Sequence, residues 1–233
     1  MENISDVVAI SATFGVVISI IGYWIGVLIR NKTGLSICNP LLISIIFVMA
    51  VLSIFHINYE DYNKSAKYLS YLLTPATVSL AIPLYLHLER LKRNWVGILV
   101  GLLAGSLTSM GSVLAMSVLF KLSHKHYVTL LPKSITTAIG MGVSSELGGV
   151  VTISVAVIIV TGIFGNVIAV SICKLFRITD PVAKGLAIGA ASHAIGTSKA
   201  MEIGDIEGAM ASLAIVVNGL ITVIGASFFA MMY

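Results

Sequence analysis

Charge is what this sequence lacks most. Lys, Arg, Asp and Glu make up 10% of the 233 residues, against 58% hydrophobic residues, and mean hydropathy is +1.03. A soluble domain carries about 25% charged residues. With so few, a water-soluble fold could not cover its surface with polar groups, whereas lipid tails solvate apolar faces. The composition predicts an all-α, polytopic membrane protein. Cysteine is scarce as well. Cys38 and Cys173 lie far apart, at or within apolar segments, which excludes a disulfide framework. Neither has CxxC or metal-ligand spacing, so they read as small reduced hydrophobic residues, and no metal or cofactor is expected. A cleaved signal peptide needs a basic start. Glu2 and Asp6 stand there instead, so the first span is expected to be retained. No nucleophile elbow, HExxH, P-loop or dinucleotide fingerprint occurs, so no enzyme is expected. Ser192 and His193 are adjacent, and neighbours on a helix point apart rather than forming a nucleophile–base pair.

The net charge of +4 sits in short clusters between apolar runs, such as Arg30 with Lys32 and Arg90 with Lys92 and Arg93. That is how basic residues flank membrane spans on the cytoplasmic side, not how a nucleic-acid surface is built. A spanning helix needs about 20 apolar residues. Six apolar runs are candidates, at about 7–29, 40–55, 68–88, 95–120, 147–173 and 209–232. The third is interrupted by Pro75 and Pro83, and 56–67 is polar and reads as a loop. Two weaker segments, 131–146 and 185–199, are rich in glycine and hydroxyls and either span or re-enter, giving six to eight segments in all. The whole of 1–233 reads as one integral membrane domain, with repeat halves of about 1–125 and 126–233.

If the loops at Arg30 and Arg90 are cytoplasmic, the acidic N-terminus lies outside. The basic loop with Lys174, Arg177 and Lys184 joins them only if one intervening segment fails to cross, and 131–146 is the natural candidate.

Two odd segments resemble each other. Pro75-Ala-Thr-Val-Ser-Leu-Ala-Ile-Pro83 aligns without gaps on Pro132-Lys-Ser-Ile-Thr-Thr-Ala-Ile-Gly140. Each has proline, hydroxyls at the second and fourth following positions, Ala-Ile, then a helix breaker. Paired interrupted segments in two halves of a membrane protein point to a transporter binding site. Proline frees backbone groups that need a partner or a water-lined cavity in lipid. The other reading is a plain proline kink with Ser/Thr bonded back to carbonyls. On the first reading Thr77, Ser79, Ser134, Thr136, Thr137, Ser192 and His193 bind a polar solute. Pro75, Pro83, Pro132, Gly140 and Gly196 then break the helices. Lys133, Glu146, Lys199 and Glu202 are charged candidates. An ionisable group at membrane depth is costly enough to be functional by default. Against that, Glu146 can cap a helix, Lys199 and Glu202 have the spacing of a surface ion pair, and Lys133 can mark the interface.

These residues also carry a family resemblance. Pro75-Ala-Thr-Val with Ala81-Ile-Pro-Leu-Tyr85, Leu131-Pro132 with Thr136-Thr-Ala-Ile139, and Gly148-Gly149 are similar to elements of the LrgB/CidB family. So are Phe176-Arg177-Ile-Thr-Asp-Pro181, Ser192-His193-Ala-Ile-Gly196-Thr197 and Ala200, Glu202 and Gly204. Ala194 replaces the family's usual glycine after the histidine, and the first sixty residues match only in hydropathy. The resemblance implies a multi-pass protein of a bacterial cell membrane, with two functional stories. In one it works with a small LrgA/CidA-like membrane partner to modulate autolysis. In the other it carries small carboxylates of the pyruvate or glycolate type. The partners it implies are the bilayer, that small protein, a carboxylate substrate and further copies of the chain, with no nucleic acid.

Overall fold

The structure is a computed structural model that describes residues 13–34, 38–72, 75, 78–79 and 81–233. It is all-helical over those residues and divides into two compact units, Met1–Ser79 and Leu80–Tyr233.

The first unit holds α1 (Phe14–Thr33), α2 (Pro40–Ile54) and α3 (Tyr59–Ser70). Glycines let these helices touch. A Cβ on Gly26 would stand 2.6 Å from the Pro40 carbonyl oxygen, and one on Gly22 would stand 2.9 Å from the Phe47 ring. Asn39 caps α2, its Oδ1 accepting from Leu41 N at 2.8 Å. The polar stretch expected as a loop is instead α3. Asn58 caps its start, and its inner face bonds to α1, with Ser65 Oγ accepting from Gly15 N at 2.7 Å. Composition hid this helix because only one narrow face is buried.

The second unit opens with short helices α4 (Ala81–Leu86) and α5 (Leu88–Arg93). No single described helix covers 68–88, so the expected third span is interrupted. The unit then builds on three long helices, α6 (Trp95–Leu119), α9 (Val151–Leu175) and α11 (Asp205–Ala230). Together with α1 they are long and apolar enough to cross a membrane. α2 is apolar but spans only 15 residues. Helices α6 and α11 run parallel. Ile98 and Leu102 pack on Ala209, Met210 and Ala214 near one end. At the other end Tyr233 Oη donates to Ser117 O at 3.2 Å, and Tyr127 Oη donates to Phe229 O at 2.7 Å.

Between the long helices lie two hairpins. The first comprises α7 (His124–Leu130), a tip at 131–136 and α8 (Thr137–Glu146). Its arms are tied together through the start of α9. Thr129 Oγ1 accepts from Val150 N at 2.8 Å, and Ser154 Oγ donates to Thr129 O at 2.7 Å and lies 2.7 Å from the Ser144 hydroxyl. The second hairpin is α10 (Pro181–Ile203), which a continuous helical pattern conceals. His193, at φ 43° and ψ −138°, folds it back on itself. Ile188 and Ala200 therefore share one buried cluster with Ala169 and Cys173, and Gly196 approaches the Ile188 carbonyl. Asp180 caps the first arm, its Oδ1 accepting from Ala183 N at 2.8 Å, and Pro181 occupies the first helical position.

Each hairpin thus returns to the end it left. The chain runs along α6, turns back on itself in the first hairpin, returns along α9, turns back in the second, and leaves along α11. A hairpin followed by a full-length helix occurs twice, with opposite sense. The arrangement puts Arg93 and the 174–184 loop at the same end of this unit.

Candidate functional site

Both tips reach the middle of the long helices, and Asn218 joins them. Its Oδ1 accepts from the Ser106 hydroxyl, which leaves both Nδ2 protons to donate. One goes to Ser134 O in the first tip at 3.2 Å, the other to Ala190 O just before the second tip at 3.1 Å. Beyond the second tip, Asn166 Nδ2 donates to Ile195 O at 2.8 Å. Two asparagines from apolar helices thereby satisfy carbonyls on either side of the break at His193, as backbone away from water requires.

Beside this junction lies a cavity of about 670 Å³. One wall is the α6 face bearing Gly101, Gly105, Thr108, Ser109 and Ser112; another is the Ala187, Ala190, Ala191 and Ser192 face of the first arm of α10. Lys133 and Ser134 enter from the first tip, and Gly165 and Ile168 come from α9. Lys133 Nζ donates to Ser109 Oγ at 3.1 Å and Ser134 Oγ at 3.2 Å, and those hydroxyls lie 2.9 Å apart. No carboxylate pairs with Lys133 among the described residues. An ammonium has three protons, so one remains for the cavity. The helix N-termini of α8 and of the second arm of α10 both begin at the tips, adding the positive ends of two helix dipoles at mid-depth.

The sequence candidates separate cleanly. Lys133, Ser134 and Ser192 line the cavity. His193 is buried, and its Nε2–H donates to Ile158 O at 3.0 Å, so it shapes the tip rather than the cavity wall. Its own carbonyl accepts from Thr197 Oγ1 at 3.0 Å. Thr136 and Thr137 form the start of α8 behind the tip and are not among the lining residues. Glu146 is exposed at the far end of α8. Lys199 and Glu202 pair at 2.9 Å on the second arm, away from the cavity. Thr77 lies outside the described residues; Ser79 and Pro75 are exposed members of the first unit.

The breaks differ from those expected. Pro132 sits in the first tip, but Gly140 lies inside α8 against Ile158, and Gly196 lies inside the second arm of α10. Both glycines permit close approach instead of ending a helix. Pro83 lies within α4. The 75–83 copy of the proposed repeat falls partly outside the described residues. Ser109, Asn166 and Asn218 were not singled out from the sequence. The signal for the two asparagines was there, as lone amides in otherwise apolar runs. No group of three His, Cys, Asp or Glu residues stands together among the described residues.

No solved structure matches the chain. Antiholin-like protein LrgB from Bacillus mycoides (strain KBAB4) is 35% identical over 212 residues, covering 91% of this chain and 92% of that protein. The proteins of the same name from Bacillus cereus (strain B4264) and Bacillus anthracis (strain CDC 684 / NRRL 3495) match with the same identity and coverage. The pattern of the LrgB-like family matches residues 19–232, and with relatives at this identity over nearly their whole length the chain belongs to that family.

Proposed function

We propose that this protein carries small monocarboxylates across a bacterial cell membrane, with the cavity at the two hairpin tips as the substrate site. The observation that carries the reading is Lys133. It is a cation at the mid-depth of the bundle, held by two serine hydroxyls, facing a cavity and without an acidic partner among the described residues. A charge there is costly, and a bound carboxylate supplies the missing counter-charge while accepting the remaining ammonium proton. Ser192, Ser109 and Ser134 add hydroxyls for a 2-oxo or 2-hydroxy group. Thr136, Thr137 and His193 shape the tips.

Two oppositely oriented hairpin-plus-helix elements meeting at the midplane are a known carrier plan. Access alternates when one element moves against the other. The basic residues at Arg93 and at Lys174, Arg177 and Lys184 favour the cytoplasm for that end of the second unit, and the basic loop at Arg30 and Lys32 favours an outside N-terminus. A small LrgA/CidA-like membrane protein is the natural partner, and self-association is compatible with the exposed apolar helices.

Counter-flow of labelled pyruvate and glycolate into proteoliposomes tests the reading. Saturable flux with the purified protein, alone or with its partner, supports it; no flux in either case sinks it. A second reading rests on the antiholin-like name of the relatives together with the autolysis role that the family resemblance implies: a regulator of murein hydrolases and lysis, without transport. It expects Lys133→Gln and His193→Ala to leave autolysis control intact in a protein that still inserts.

A further inference from the structure

A second cavity, of about 470 Å³, lies at the base of the second hairpin, distant along α9 from Lys133. Val170 from the end of α9, Ile178 from the turn after it, and Ile203 from the end of α10 give it apolar walls. Lys174, Arg177 and Lys184 give it three cations. None of the three makes an ion pair among the described residues. The nearest acids in sequence are engaged elsewhere: Asp180 caps the first arm of α10, and Glu202 pairs with Lys199. Arg177 sits at φ 53°, in the turn where Ile178 N donates to Cys173 O at 2.8 Å, which fixes its backbone at the helix end.

This end of a 25-residue apolar helix is where a span leaves the hydrocarbon for the headgroup layer. An apolar hole rimmed by unpaired cations at that level has the chemistry of an amphiphilic anion. The cations would meet a phosphate, and the hole would take an acyl chain. A small soluble anion has no use for the apolar walls, and a neutral lipid has none for three cations. We propose that this cavity binds an anionic phospholipid. Lys184 belongs to the first arm of α10 and Ile203 to the second, so the occupant also ties both arms to the end of α9.

Native mass spectrometry of the full-length protein in detergent tests this, using phosphatidylglycerol, cardiolipin and phosphatidylcholine as probes. The expected result is retention of phosphatidylglycerol or cardiolipin over phosphatidylcholine. Lys174→Gln/Arg177→Gln/Lys184→Gln should weaken that retention roughly a hundredfold, from about fivefold per cation. Val170→Trp, which fills the hole and keeps the charges, should weaken it too. Melting temperatures in lipid-free detergent report whether each variant is folded. Where one is not, the three single Gln variants replace it, each expected to lose about fivefold. Equal retention of phosphatidylcholine, unchanged retention in the folded charge variants, or displacement by millimolar inorganic phosphate alone would overturn the proposal.

Discussion

Asn218 Nδ2 lies 3.2 Å from the carbonyl oxygen of Ser134, and that bond holds the first hairpin tip against the middle of α11. The second proton of the same amide holds Ala190. One side chain therefore fixes the spacing of the two elements whose relative position defines the cavity. Asn218→Leu keeps the volume and leaves both carbonyls without their donor. An unsatisfied buried acceptor costs about 1–3 kcal/mol, so the variant should unfold earlier in detergent and lose flux. Asn218→Gln, which keeps the amide, should lie between. Wild-type melting in the Leu variant would show that the tips are held by other contacts.

Lys133 should have opposite effects on stability and on binding. A half-buried cation with no carboxylate partner among the described residues is unfavourable. Lys133→Met should therefore leave melting unchanged or raise it, while anion affinity falls by about ten- to a hundredfold, the value of a charge-assisted hydrogen bond. Concentration dependence of counter-flow separates the two effects, because the loss should fall mainly on KM. If the variant instead melts lower and binds normally, Lys133 is structural.

Gly165 is shaped to the second tip, since a Cβ there would strike Ser192 Oγ. Gly165→Ala should cost about 1–3 kcal/mol through overpacking. Ser192→Gly should recover most of that loss in the double variant while itself removing a cavity hydroxyl. Thermal melting of the four-member cycle measures the coupling. Additive effects would show that the two residues do not meet.

How much of this was legible in the sequence follows from what each feature rests on. Composition alone specifies helices in lipid, because it depends on the sum of apolar side chains. The basic clusters share one side only if one intervening segment fails to cross, with 131–146 the natural candidate, since charge placement counts crossings. Lys133, Ser134 and Ser192 were legible as polar residues in weak spans. The roles of Asn218 and Ser109 were not, because each acts through a partner far away in sequence. The break in α10 was assigned to Gly196, the expected helix breaker, whereas the chain turns at a histidine held by Ile158 O. Tertiary contact, not local preference, decides that position.

His193 yields a prediction about backbone rather than chemistry. At φ 43° and ψ −138° it occupies a region that favours glycine. Such a conformation costs a non-glycine residue about 1–3 kcal/mol. The Nε2–H bond to Ile158 O and the fit of the ring against Gly162 offset that cost. His193→Ala loses both and keeps the strain; His193→Gly loses both and relieves it. The glycine variant should therefore melt higher than the alanine variant and retain more flux. Equal melting of the two would mean that the ring, not the turn, is what the position demands.

The hairpins themselves are tested by sidedness. The path through α6, α9 and α11 places Arg93 and Thr179 at one end of the bundle, and Ser123 and Tyr233 at the other. If 124–146 spanned instead of re-entering, Thr179 would move to the side of Ser123. Single cysteines at these four positions, in a background with Cys38→Ser and Cys173→Ser, can be labelled in intact cells by a membrane-impermeant maleimide. Ser123→Cys and Tyr233→Cys should label from outside; Arg93→Cys and Thr179→Cys should label only after permeabilisation. The pairing matters more than the absolute side. If all four reverse together, the orientation is wrong and the hairpins stand. If Arg93→Cys and Thr179→Cys fall on opposite sides, the first hairpin is a span. The tips would then not meet at the midplane, and the substrate site built on them would fail with it.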